Sequence, residues 1–77
     1  MEQSVKADRT IGETIKRARM HAGLTQEQLA ARVQVAGCDI SRGTLAKIEA
    51  GIRHISAQEL RALGAVLNLD FNALFGV

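Results

Sequence analysis

The sequence predicts an all-α domain, a compact bundle of five short helices, and three observations carry that prediction. Four times an apolar residue stands directly before a residue whose side-chain oxygen can cap free backbone NH groups: Leu24-Thr25, Ile40-Ser41, Ile55-Ser56 and Leu69-Asp70. Five residues beyond each apolar member comes another, Leu29, Leu45, Leu60 and Leu74, which is the spacing of a hydrophobic staple. Apolar residues between these points recur at helical spacing, and strand-like alternation never lasts more than a few residues.

Taken in order, residues 1–9 are polar and aperiodic, so they read as a flexible N-terminal arm before a domain over 10–77. Thr10 and Glu13 have the spacing of a capping box, which predicts a first helix over 11–22 with Ile11, Ile15, Ala18 and Ala22 on its buried stripe. Gly23 ends it. A second box, Thr25 with Gln28, opens a helix over 26–36 that buries Leu29, Ala30 and Val33 and stops at Gly37. Ser41 caps a third helix over 42–50, with Leu45 and Ile48 facing inward and Gly51 after its end. The box Ser56–Glu59 opens a fourth over 57–67, carrying Leu60, Leu63 and Leu67, and Asp70 precedes a fifth over 71–75 with Leu74 and Phe75.

A chain of 77 residues supports one core at most. Phe71 and Phe75 are its only aromatic residues, so that core must be aliphatic. The single cysteine, Cys38, excludes an internal disulfide and fits a reduced, cytoplasmic setting. Apolar runs are far shorter than the roughly 20 residues of a membrane span. The start "MEQSVKADRT" lacks the apolar segment of a secretory signal, so neither insertion nor export is expected.

The net charge is only +2, but its placement is uneven. Lys16, Arg17 and Arg19 lie together, and Arg42, Lys47, Arg53 and His54 fall within one short stretch. Clustering of this kind suits a polyanion, although a solvated helix face would also produce it.

Catalysis is not expected. Cys38 beside His54 or His21, with Asp39 in support, is the nucleophile–base arrangement that can be imagined, and a lone cysteine in a small helical domain more often serves packing. One Cys and two isolated His residues do not make a metal site, and Gly37, Gly43 and Gly51 do not form a phosphate-cradling loop. No metal or cofactor is expected.

Binding is better supported. A helix start offers free NH groups and partial positive charge to a phosphate, and Gln26 and Gln28 sit in the first turn of the second helix. Gln28 could equally serve only its capping box, and Gln26 could be merely solvated. The third helix turns Arg42, Gly43, Thr44, Ala46 and Lys47 outward, a slim face rich in donors. Gly43 costs about 1 kcal/mol of helix propensity relative to alanine, which suggests that close approach matters there. Arg42 could read guanine through O6 and N7, Thr44 could reach a phosphate or a thymine methyl, and Lys47 could contact guanine or phosphate.

"LTQEQLA", "ISRGTLAKIEAG" and "LRALGAVLNLDFNALF" resemble the helix-turn-helix domain of phage Cro-type repressors and the related xenobiotic-response-element (XRE) regulators of bacteria. The resemblance runs from about Ile11 to Phe75. It implies a five-helix, lambda-repressor-like fold whose third helix enters the major groove. Position by position, Arg42, Gly43 and Lys47 match base-facing sites, and Gln26 and Thr44 match phosphate-touching ones. Arg53 and His54 match the loop that lies along the DNA backbone. Arg19 and Glu49 match a structural ion pair that ties helix one to the end of helix three. The family usually binds as a symmetric dimer on half-sites about 34 Å apart. The expected function is therefore a transcriptional repressor that binds a palindromic double-stranded operator as a homodimer. The dimer surface would lie at the carboxyl end, near Asn68, Phe71, Phe75 and Val77.

Two further readings stay open at this level. One is a protein-interaction module, such as an antitoxin or adaptor that keeps the fold and meets a protein partner. The other is a redox switch at Cys38, which needs an exposed thiol of lowered pKa. "VQVAGCDI" between the helices of the motif is also unusual. Leu29 and Leu45 are sixteen positions apart, about five more than the short turn of the usual motif allows, and Gln34 stands where its glycine would be. An extra turn of helix two, worth about 5.4 Å, and a longer connection through Cys38 and Asp39 account for the difference. Pointing toward the duplex, it would bring Asp39 unfavourably to phosphate; pointing outward, it would offer Val35 and Cys38 to a protein.

Overall fold

The computed structural model describes the backbone of residues 2–69 and the side chains of residues 9–69. Four helices and no strand occur among the described residues: α1 (Glu2–His21), α2 (Gln26–Val35), α3 (Arg42–Glu49) and α4 (Ala57–Leu67). The fifth helix expected over 71–75 lies outside them.

One expected boundary is corrected. α1 begins at Glu2 and not at residue 11, so residues 2–10, expected as a loose arm, are helical. Thr10 therefore sits inside the helix and cannot cap it. Its carbonyl accepts the Thr14 hydroxyl at 2.9 Å, one turn on, and the Thr10–Glu13 box does not form. Spacing alone cannot tell a true cap from a Thr and Glu that share a helix face.

The other starts are reciprocal or simple caps. Thr25 Oγ1 accepts the Gln28 N–H at 3.0 Å while Gln28 Oε1 accepts the Thr25 N–H at 2.9 Å. Ser56 and Glu59 repeat this exchange at 3.1 and 2.9 Å. Ser41 caps α3 by accepting the Thr44 N–H at 3.1 Å. Each cap satisfies donors that a helix start leaves without partners, a contribution of about 1 kcal/mol.

Three helix ends share one geometry, in which a glycine at positive φ closes the last turn with two backbone bonds. At α2 the Gly37 N–H donates to the Gln34 carbonyl and the Cys38 N–H to the Val33 carbonyl, at 3.0 and 3.1 Å. Gly37 has φ of +98°, a conformation costly for any residue with a Cβ. α4 ends instead on Asn68, which takes the left-handed conformation at φ 57°.

The core is aliphatic. Ile11, Ile15, Leu29, Ala30, Val33, Ile40, Leu45, Ile48, Leu60 and Leu63 are buried together with Cys38, and Leu24, Ile55 and Leu67 pack at its margin. All three staples inside the described residues thus feed one core. α1 crosses the end of α3 closely because residue 12 is glycine: a Cβ there would fall on the Ile48 carbonyl oxygen and 3.0 Å from that of Glu49. This close approach fixes how α3 sits on the bundle.

Candidate nucleic-acid interface

α3 is two-sided. Leu45, Ile48 and Glu49 are buried, while Arg42, Gly43 and Lys47 are exposed and Thr44 and Ala46 are partly so. Eight residues carry both sets because inward positions recur every three to four residues. The exposed side carries two cations and no acid.

Gly43 needs no special backbone here. A Cβ at that position would meet nothing nearer than the Ser41 Oγ at 3.9 Å, and its φ is not in the left-handed region. Nothing among the described residues requires glycine there. Thr44 is partly engaged, its hydroxyl accepting from Ser41 Oγ at 3.1 Å.

A polar network fastens the end of α3. Arg19 of α1 donates from Nε to Glu49 Oε2 at 2.7 Å and from Nη2 to Oε1 at 3.1 Å. Its Nη1 donates to the Leu24 carbonyl at 2.8 Å, in the turn that leads to α2. Gln26, in the first turn of α2, adds its amide to Glu49 Oε1 at 3.1 Å. Three side chains from three helices and one turn carbonyl thus satisfy one another around a carboxylate whose side chain is 3 % exposed. A buried charge is tolerable on these terms, paired and fully hydrogen-bonded.

The structure engages several of the residues expected at phosphate. The Gln26 amide nitrogen is held by Glu49, and the Gln28 carbonyl oxygen by its capping box, an exchange in which the Gln28 amide nitrogen takes no part. Arg53 donates from Nη1 and Nη2 to the two oxygens of Glu59, each at 3.0 Å, and from Nη1 to the His54 carbonyl. That pairing was not foreseen, because Glu59 was read only as a capping residue. Arg53 lies six positions before it across the α3–α4 loop, a separation that helix spacing does not flag. The Arg53 hydrogen bond, above all, holds the Glu59 carboxyl below the ordinary carboxylate range; burial opposes it, and the Ser56 N–H assists. His54 is exposed at the end of the same loop.

Cys38 is corrected. Its side chain is buried in the core, and burial first, then the charges of Glu59 and Asp39, push its thiol up. Both conditions for a redox switch fail, and the thiol is not presented to a protein partner. Val35 at the end of α2 is 89 % exposed, and Asp39, in the connection that follows, is exposed as well.

Two helices joined in this way, the second with a donor-rich face and an anchored end, are the architecture that the sequence resemblance implied. The family model described as Helix-turn-helix matches residues 15–74, most of the chain. The chain belongs to the helix-turn-helix family. It is of the Cro-repressor, or XRE, type, a family of DNA-binding regulators of transcription and not of enzymes. No curated protein and no solved structure matches it. No helix among the described residues is long and apolar enough to cross a membrane.

Proposed function

We propose that this helix-turn-helix chain is a sequence-specific repressor that binds a palindromic double-stranded operator as a homodimer, in the cytoplasm, with α3 in the major groove. The observation that carries the reading is Gly43. It sits mid-face on α3 between Arg42 and Lys47, at an ordinary helical conformation with open space around it. A fold that needed only stability would hold alanine there, at a gain of about 1 kcal/mol. A face that a DNA groove approaches closely favours the missing side chain. Arg42 and Lys47 then contact base edges, and Thr44 and the Gln28 amide contact phosphate. Arg53 and His54 lie along the backbone beside them.

Selection from random DNA with the full chain tests this. The expected outcome is one enriched palindrome whose binding weakens steeply with salt. Gly43→Ala should raise the melting temperature and yet weaken binding to that palindrome. A pool without an enriched site, or a Gly43→Ala variant that binds as well as the parent, overturns the reading.

A further inference from the structure

We propose that Gln34 is a positioning residue for DNA reading, which sets the angle at which α3 leaves the enlarged turn. The inference rests on the reading of α3 as the base-contacting helix.

In the usual motif a short turn dictates the angle between the two helices. Here six residues, 36–41, separate Val35 from Arg42, long enough for α3 to pivot about its anchored end. The body of this connection is held by backbone bonds and burial. The Cys38 N–H reaches the Val33 carbonyl at 3.1 Å, the Ile40 N–H reaches the Cys38 carbonyl at 3.0 Å, and Cys38 and Ile40 are buried.

Gln34 then ties α2 directly to the entrance of α3. Its Nε2 donates to the Ile40 carbonyl at 2.9 Å, across six positions and one residue before the Ser41 cap. The far end of α3 is fixed independently by Arg19 and Gln26 at Glu49. A helix fixed at one end and clasped at the other has one direction. Released at the clasp, the turn keeps Ile40 and Leu45 in the core, and what loosens is its exposed start, which carries Arg42. A bidentate contact to a base edge tolerates displacement far less than a phosphate contact does, so base discrimination should suffer before overall affinity. Gln34 is otherwise an exposed side chain outside the core, so replacing it removes no core packing.

The test compares Gln34→Met, of similar length without a donor, and Gln34→Lys, which restores one. Two quantities are read on the full chain. The first is the ratio of Kd values for the selected palindrome and for a palindrome changed at the base pair that Arg42→Ala ceases to distinguish. The second is amide hydrogen exchange at Thr44 and Leu45 in the absence of DNA.

Gln34→Met should lower the discrimination ratio about fivefold, equivalent to a lost hydrogen bond of about 1 kcal/mol. It should accelerate exchange at both amides by a similar factor and lower the melting temperature by no more than the few degrees that a loss of this size implies. Gln34→Lys should recover both readouts. Unchanged exchange in Gln34→Met overturns the proposal whatever the DNA does. Unchanged discrimination, or a fall that Gln34→Lys does not recover, overturns it as well. A parent chain that selects no palindrome removes the base-reading role and this proposal with it. The exchange measurement, which needs no DNA, separates that failure from the absence of a clasp.

Discussion

Two arginine–glutamate pairs bracket α3 with nearly the same hydrogen bonds in opposite surroundings. Arg19 and Glu49 are thirty positions apart in the chain, and their side chains are 11 % and 3 % exposed. Arg53 and Glu59 are six apart, at 38 % and 14 %. Both pairs are two-pronged, with contacts between 2.7 and 3.1 Å. Geometry therefore does not distinguish them, and what each loss would leave behind does. Without Arg19, the carboxylate of Glu49 stays buried with Gln26 as its remaining partner. Without Arg53, Glu59 keeps the Ser56 N–H as a partner at the protein surface. The inner pair is a joint between three helices, and the outer one trims a loop.

The sharpest way to break this comparison is Arg19→Ala, the largest effect expected. Leaving a buried charge without its partner costs roughly 3–5 kcal/mol, much of the stability of so small a domain. Equilibrium denaturation in urea measures it. The double change Arg19→Met with Glu49→Leu should recover much of that loss, because it removes both charges and keeps the volume. A cost under about 1 kcal/mol for Arg19→Ala would put the inner pair in the same class as the outer one.

Gly12→Ala tests the same joint without touching a charge, and its effect should be the next largest. Alanine gains about 1 kcal/mol of helix propensity. Its methyl, however, would occupy the space of the Ile48 carbonyl, and overpacking of this kind costs roughly 1–3 kcal/mol, more where backbone must move. Net destabilisation, seen as a lower midpoint at unchanged slope, is expected. A neutral or stabilising Gly12→Ala would mean that α1 and α3 separate easily, and that Arg19 holds them less firmly than its burial implies.

How much of this was legible in the sequence follows from the range of each interaction. The caps at Thr25, Ser41 and Ser56 and the stops at Gly23, Gly37 and Gly51 are set within a few residues, and local spacing displays them. The same rule misled at Thr10, because a hydroxyl and a carboxylate three apart also occur inside a helix, where the i–4 carbonyl claims the next hydroxyl. Gly12 was missed although it lies beside the buried stripe of Ile11 and Ile15, where a residue without a side chain hints at close contact. Gln34 was noted as standing in a glycine's place, but its bond to Ile40 depends on the shape of a turn that spacing does not specify. The Arg53–Glu59 pair belongs to the same class, since two residues suited to other tasks meet only once a loop has folded.

Glu59→Gln moves to the outer pair and to a smaller effect, about 1 kcal/mol at neutral pH. Its pH dependence carries more information than its size. The folded carboxyl is held below its unfolded value, mainly by Arg53. Its contribution is therefore fully present above the ordinary glutamate value of about 4.3 and is lost as pH falls through the lower folded value. The stability difference between the parent and Glu59→Gln should be level from pH 7 to about 5 and shrink at more acid pH. A difference that grows on acidification would show that Arg53 does not lower the Glu59 carboxyl.

Arg53→Ala should be the smallest change, and it separates the two roles that this residue has been assigned. As half of an exposed pair it contributes less than about 1 kcal/mol, and that share should fade in high salt. As a phosphate contact it would weaken all DNA sequences alike and lower the salt dependence by roughly one counterion per half-site. Glu59 competes for the same guanidinium, since Nη1 and Nη2 each already donate to it. The slope should therefore fall by clearly less than it does for Lys47→Ala, whose ammonium is exposed on α3 with no acid on that face. Equal slopes for the two variants would mean that DNA draws Arg53 away from Glu59. In that case Arg53→Ala in a Glu59→Gln background would weaken DNA binding as much as it does alone, and the outer pair would serve as a holder that releases its arginine to the duplex.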